Sequence, residues 1–218
     1  FFASWVMMLI GRVRIGELMK LLGLAFAAAM LAGLLNLGRS ETAGGRVETW
    51  IDLWTKPQTE KPIDQLTDTE RSMIAIHNGG LLGEGAGQSA MRVEMIHPES
   101  DYAYAFFVEE YGIVLAIALL MLYLWIFFRG IEIFRRCGTA FPGLLVLGLA
   151  LLITCQALLH IMVTVNLIPE TGQTLPLISR GGSSTLFTTI ALGMILSVSR
   201  QNDEQSHDTP RSESIYEK

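Results

Sequence analysis

GGLLGEGAGQSAMRVEMIHPESDYAYAFFVEE, residues Gly79 to Glu110, places glycines, a basic residue and a lone Asp101 in a polar stretch that then runs into apolar sequence. The next stretch, Tyr111 to Phe128, carries no charge at all. A soluble core has no use for that order of events. An ionisable group beside flexible backbone at the entrance to an apolar span marks a candidate functional site of a membrane protein.

The rest of the chain supports the membrane setting. Of its 218 residues 50% are hydrophobic and only 17% charged, with a mean hydropathy of +0.41; soluble domains carry about 25% charged residues. Leu21–Gly38, Tyr111–Phe128, Gly138–Pro169 (His160 aside) and Gly181–Ser199 hold no Asp, Glu, Lys or Arg. Each reaches the roughly 18 residues that cross a bilayer as a helix. The fold class read here is an all-α polytopic integral membrane protein, a helical bundle with a large external loop. Its spans fall near residues 1–11, 19–38, 103–128, 143–166 and 183–199, its external loop over 39–102, and a disordered cytoplasmic tail over 200–218. The opening FFASWVMMLIG has no signal-peptide charge pattern and reads as the end of another span, so the chain is expected to be the C-terminal part of a larger protein.

Arg12, Arg14 and Lys20 in one short link, and Arg129, Arg135 and Arg136 in another, put those links in the cytoplasm. Alternation then puts the loop 39–102 and the link 170–180 outside. The loop reads as turn-rich from Arg39 to Thr69, with Trp50 and Trp54 either in the membrane interface or on a lipid headgroup, and as a short helix from Glu70 to Ile76. A net charge of −5 argues against a nucleic-acid partner. Cys137 and Cys155 form no disulfide framework.

Three constellations carry the chemistry. Gly83, Gly85 and Gly87, leading to Ser89, sit in a glycine-rich stretch that either cradles a ligand or makes a tight turn packed against helices. It lacks the strand, helix and lysine of a nucleotide-binding loop. Asp101 caps the next helix, as Ser100 could, or serves as a general base, and the two roles do not exclude each other. Glu109 and Glu110 point about 100° apart on a helix, and each needs a basic or hydroxyl partner or a place near the interface, with proton handling or metal binding as the alternative role. In the third, Pro169, Gly172 and Pro176 interrupt a helix before Gly181, Gly182, Ser183 and Ser184 open the last span. Their amides beside Arg180 suit an anion, or simply begin a hairpin's second helix. His160 reads as a hydrogen-bonded packing residue.

Together these pieces resemble the SEDS family (shape, elongation, division and sporulation). Its G-G-x-x-G-x-G-x-G-x-S stretch matches Gly79 to Ser89, its P-x-x-(S/T)-D-F segment matches HPESDY, and its E-E-x-G matches Glu109 to Gly112. Its P-x-x-G-x-x-L-P-x-I-S-x-G-G-S-S signature matches Pro169 to Ser184. The glycine form is more like the division branch than the elongation branch. Ile96 stands where the family usually has proline, Tyr102 where it has phenylalanine, and Arg180 where tyrosine is common.

The resemblance implies a ten-span fold of which this chain is the later part, and a peptidoglycan glycosyltransferase that polymerises lipid II outside the bacterial cytoplasmic membrane, at the division septum. It implies Asp101 as the catalytic base and undecaprenyl pyrophosphate as the leaving group. Arg46 and Arg92, with Arg180 and the Gly181–Ser184 amides behind them, are the candidates for holding that pyrophosphate. Gly83, Gly85, Gly87, Ser89, Glu109 and Glu110 take supporting roles. No cluster specifies a metal, though Mg²⁺ or Mn²⁺ could assist. The expected partners are a class B penicillin-binding protein and other division membrane proteins. A lipid II flippase and a scaffold without chemistry are the competing functions.

Overall fold

A computed structural model of the protein describes residues 66–89 and 101–204 with their side chains, the helix over 40–55 with side chains at 45–48 and 50–55, the helical backbone on to 216, and scattered positions before residue 40. All secondary structure among the described residues is helical. Five helices follow in order: α1 (Ser40–Thr55), α2 (Asp68–Gly79), α3 (Ala103–Arg136), α4 (Ala140–Thr164) and α5 (Gly182–Tyr216). Three of them, α3, α4 and residues 182–204 of α5, are long and apolar enough to cross a membrane. The expected spans near 1–11 and 19–38 lie largely outside the described residues.

The 34 residues of α3 would rise about 51 Å if straight, at 1.5 Å each, well beyond a hydrocarbon core of about 30 Å. It is not straight. Gly112 adopts φ 81 and ψ 168 and breaks the helix, so the carbonyls of Glu109 and Glu110 lose their helical donors. The glycine-rich loop supplies replacements. Glu84 N–H donates to the Glu109 carbonyl at 2.9 Å and Gly85 N–H to that of Glu110 at 3.1 Å, while Ile113 N–H donates to Gly80 at 3.1 Å. Such close backbone approach demands glycine. A Cβ at Gly83 would lie 2.6 Å from the Glu110 carbonyl carbon, and one at Gly112 would lie 2.6 Å from Gly83 N. Of the two sequence readings of this stretch, its described part follows the tight turn packed against a helix.

α4 packs on α3 through one face, with Val146, Ala150, Ile153, Ala157 and Ile161 buried at helical spacing. Gly130 of α3 meets Ala150 closely enough that a Cβ would lie 2.6 Å from the alanine methyl, the small-residue contact by which membrane helices approach. α2 begins with a capping box, in which Glu70 N–H donates to Thr67 Oγ1 and Thr67 N–H donates to the Glu70 carboxylate. It extends from Asp68 to Gly79, longer than the short helix expected over 70–76.

The link between α4 and α5 turns back into the bundle. Leu175 and Pro176 are fully buried there. Backbone carbonyls at such depth need partners, and three helix side chains provide them. His160 bonds to the Gln173 carbonyl at 2.7 Å, Gln156 to that of Thr174 at 3.0 Å, and Tyr123 to that of Pro176 at 2.5 Å.

Two sequence expectations need correction. Residues 40–55, read as turns, form α1, whose Gly44-Gly45 pair is absorbed into the helix. The polar tail from residue 200, read as disordered, continues α5 to Tyr216. Arg200 and Glu204 pair at 2.8 Å one turn apart, and the Asn202 amide donates to Cys137 Sγ at 3.0 Å, tying this end of the helix to the α3–α4 turn.

Gly83→Ala is expected to cost roughly 1–3 kcal/mol through strain at the broken helix. Gly193→Ala, where a Cβ meets nothing within 4 Å, should be neutral or stabilising by up to about 1 kcal/mol. Thermal unfolding of the purified protein in detergent compares the two. By the same measurement, Tyr123→Phe should lower stability by about 1–2 kcal/mol, because it strands the Pro176 carbonyl.

Candidate functional site

Asp101 stands just ahead of α3. The N-cap of that helix is Tyr102, with no side-chain capping bond, so the carboxylate of Asp101 is not committed to capping. Ser100, the other capping candidate, lies outside the described residues. Asp101 is half-buried and close enough to Glu170 and His160 to act on both electrostatically. The His160 ring is fixed at both nitrogens. Its Nε2 accepts from Tyr104 N–H at 3.4 Å, so Nδ1 carries the proton and donates to the Gln173 carbonyl. That is the hydrogen-bonded packing role read from the sequence, with Asp101 as an additional neighbour.

A cavity of about 640 Å³ opens between α1, α2 and the loop after α4. Arg46, Trp50, Asp68, Thr69, Arg71 and Glu170 are among its lining residues. α1 is latched across it twice. Trp50 Nε1–H donates to the Asn166 carbonyl at 3.0 Å, and Arg46 Nη1 donates to the Glu170 carbonyl at 3.5 Å. The Arg46 Nε also lies 4.0 Å from the Glu170 carboxylate. Thr69 Oγ1 donates to that carboxylate at 3.4 Å and meets the Tyr102 hydroxyl at 3.1 Å. Burial pushes the Glu170 carboxyl above the usual carboxylate range; Arg46 and the Thr69 hydroxyl oppose the rise, while Asp68 and Asp101 add to it. Trp50 and Trp54 divide their tasks: Trp50 is a latch, whereas Trp54 is exposed.

A second cavity, of about 550 Å³, lies between the first turns of α3 and the loop before α5. Glu110 and Arg180 line it with Ala103, Phe106, Phe107, Tyr111 and Ile178. The adjacent Glu109 faces elsewhere. It is wholly buried and accepts from the Ser89 hydroxyl, a hydroxyl partner of the kind sought in the sequence, and its Oε1 has no hydrogen-bond partner.

The expected site residues therefore separate into groups. Arg46 belongs to the larger cavity and Arg180 to the smaller, so the two do not converge on one anion. Gly181 N–H is used in a turn to the Ser179 carbonyl at 2.8 Å, and the Ser184 hydroxyl accepts from Thr174 at 2.9 Å. Gly182 and Ser183 are exposed at the start of α5. Gly83, Gly85 and Ser89 serve the broken helix, and Gly87 turns with φ 79 and open space around it. Arg92 lies outside the described residues. Among the described residues no group of three or more His, Cys, Asp or Glu side chains is placed to hold a metal ion.

Glu170, Thr69 and Tyr102 were not picked out as site residues from the sequence. Tyr102 had one signal, its departure from the phenylalanine of the pattern. Glu170 had none, because its partners lie more than 100 residues away in sequence.

The chain is similar in sequence to proteins of three bacteria. The chain is 35% identical over 161 residues to a probable peptidoglycan glycosyltransferase FtsW of Thioalkalivibrio sp. (strain K90mix), covering 72% of this chain and 39% of that protein. It is 32% identical to the FtsW of Marinobacter nauticus, also named a probable peptidoglycan glycosyltransferase, over 92% of this chain and 49% of that one. It is 32% identical to stage V sporulation protein E of Bacillus subtilis, over 71% and 41%. The chain thus spans less than half the length of these relatives. A solved chain from a peptidoglycan synthase complex shares the fold, with a TM-score of 0.60 at 23% identity over 92% of this chain and 54% of its own. Residues 1–204 match the profile of the cell cycle proteins FtsW, RodA and SpoVE, and the chain belongs to that family.

Proposed function

We propose that the protein is a peptidoglycan glycosyltransferase that polymerises lipid II at the outer face of the bacterial cytoplasmic membrane during division. The names of its FtsW relatives support the activity class. The observation that carries the mechanism is Asp101: a half-buried carboxylate ahead of α3, uncommitted to capping and within electrostatic reach of Glu170, which lines a cavity that holds two guanidinium groups.

In this reading the acceptor hydroxyl of lipid II attacks the anomeric carbon of the growing glycan. A C–O bond forms there as the bond to the pyrophosphate oxygen breaks, and the electron pair leaves with undecaprenyl pyrophosphate. Asp101 takes the hydroxyl proton and later returns it to water. Both reactants are lipid pyrophosphates, so two anion sites are needed. The two cavities meet that need: Arg46 serves one pyrophosphate, and Arg180 with the Gly182 and Ser183 amides serves the other. Arg92 remains a further candidate. A divalent cation, Mg²⁺ or Mn²⁺, would enter bound to a pyrophosphate rather than be held by a protein cluster. The partner in this reading is a class B penicillin-binding protein at the septum, which suits a fold shared with a chain of a synthase complex that coordinates polymerization and crosslinking.

The test reconstitutes the full-length protein with its transpeptidase partner and supplies lipid II. Asp101→Ala should lower the rate of glycan polymer formation by about 10²–10⁴-fold, the usual worth of a positioned base. Equal polymer from wild type and variant would sink the base assignment. No polymer from either, with lipid transfer across the bilayer intact, would favour a flippase. Arg180→Gln should raise KM for lipid II by about tenfold or more, the loss of one charge-assisted contact.

A further inference from the structure

Arg46 and Glu170 raise a difficulty for an anion site: the cation there already faces a carboxylate. The family signature leaves position 170 open, within P-x-x-G, and this chain has glutamate there. Tyr102 stands in place of the pattern's phenylalanine. The two meet through Thr69, in a chain from the Tyr102 hydroxyl to the Thr69 hydroxyl to the Glu170 carboxylate, with steps of 3.1 and 3.4 Å. That chain works in both protonation states. Thr69 donates to an ionised Glu170, and its hydroxyl turns to accept from a protonated one.

The Arg46 pair is weakly held. Its closest carboxylate contact is 4.0 Å, with side chains 42% and 35% exposed, and exposed pairs of this kind are easily displaced. The charged groups around Glu170 are Arg46 from α1, Asp68 and Arg71 from α2, and Asp101 ahead of α3, with His160 of α4 reaching it through Asp101. Arg71 is itself paired with Asp68 at 3.7 Å. So in the larger cavity each guanidinium faces a carboxylate of the protein. The cavity also has an apolar exit. It shares Leu53, Leu66 and Asn166 with an adjoining space of about 340 Å³ lined by Trp54, Met73 and Ile74, and by Glu70, whose carboxylate is held in the capping box of α2.

We propose that Glu170 is an internal stand-in for a substrate phosphate: it occupies Arg46 in the resting protein, and an entering phosphoanhydride takes over the guanidinium while Glu170 takes up a proton from solvent. This rests on the reading that the cavity receives a lipid-linked pyrophosphate, and it names what selects that ligand. A phosphoanhydride, with its higher charge, competes with the carboxylate better than a monophosphate does. The apolar exit accepts the hydrocarbon chain.

The sign of the pH effect follows. In the resting state Arg46 favours the ionised carboxylate. On binding, Glu170 loses that cation and gains a further anion beside Asp68 and Asp101, and both changes raise its pKa. Binding therefore takes up a proton. Affinity falls as pH rises from the resting pKa through the bound pKa, by at most about tenfold per unit for one proton.

The test is calorimetric titration of the full-length protein in nanodiscs with inorganic pyrophosphate and with farnesyl pyrophosphate, at pH 6 and 8, in buffers of different ionisation enthalpy. Farnesyl pyrophosphate should bind tighter than inorganic pyrophosphate, because only it uses the apolar exit. Glu170→Gln should bind both probes about three- to fivefold tighter than wild type at pH 8, the worth of an exposed pair removed. It should also take up fewer protons and show a shallower pH slope; titration of the probes themselves cancels in that comparison. Arg46→Gln should weaken both probes. Weaker binding by Glu170→Gln, equal proton uptake in wild type and Glu170→Gln, unchanged binding by Arg46→Gln, or no binding of either probe by wild type would each overturn the proposal. No turnover is read, so failure of the polymerase assignment leaves this result standing on its own, and the reverse also holds.

Discussion

Backbone polar groups at membrane depth must find partners inside the protein, and the break at Gly112 is where that constraint bears hardest. Once α3 departs from helical geometry, the carbonyls of Glu109 and Glu110 need donors. Glu84 and Gly85 supply them only because Gly83 and Gly112 let two backbones touch. The consequences spread from there. Glu109 is turned into the bundle against Ser89, while Glu110 is turned toward the cavity of Arg180. The first turns of α3, headed by Asp101 and Tyr102, are freed from the axis of the membrane helix below and packed against α2.

The same constraint governs the loop between α4 and α5. Its carbonyls at Gln173, Thr174 and Pro176 are held by His160, Gln156 and Tyr123. Gln156 and His160 are one helical turn apart on α4 and so share a face. A polar face on a span has a cost in lipid; here it is offset because that face is the socket for a re-entrant loop. With the loop so fixed, Glu170 and Arg180 sit near its two ends and line different cavities, which is why the two cavities are distinct.

How much of this was legible in the sequence varied with distance along the chain. The apolar runs gave α3, α4 and the apolar part of α5, because lipid exposure leaves a compositional signal that needs no partner. The SEDS resemblance anticipated the family through motifs that are contiguous in sequence. The glycine loop could be read only as two alternatives, since the choice depended on a helix break about 30 residues later. α1 was missed because Gly44 and Gly45 argued for turns, whereas its latches, Trp50 to Asn166 and Arg46 to Glu170, join residues more than 100 positions apart. The helical continuation past Ser199 was missed for a similar reason: composition sees a polar tail, but not Asn202 meeting Cys137.

That distance effect also explains why motif reading favoured Asp101, Arg180 and the serine–glycine stretch and overlooked Glu170. A signature records positions a family holds in common, and Glu170 falls in one of its gaps. Yet the position is physically restricted. It faces one guanidinium and two carboxylates in a half-buried setting, where a neutral side chain would be the easier choice for stability. A carboxylate kept where burial and like charge both disfavour it is costly as a structural element alone, and its cost becomes intelligible when the charge is one that a ligand is meant to replace.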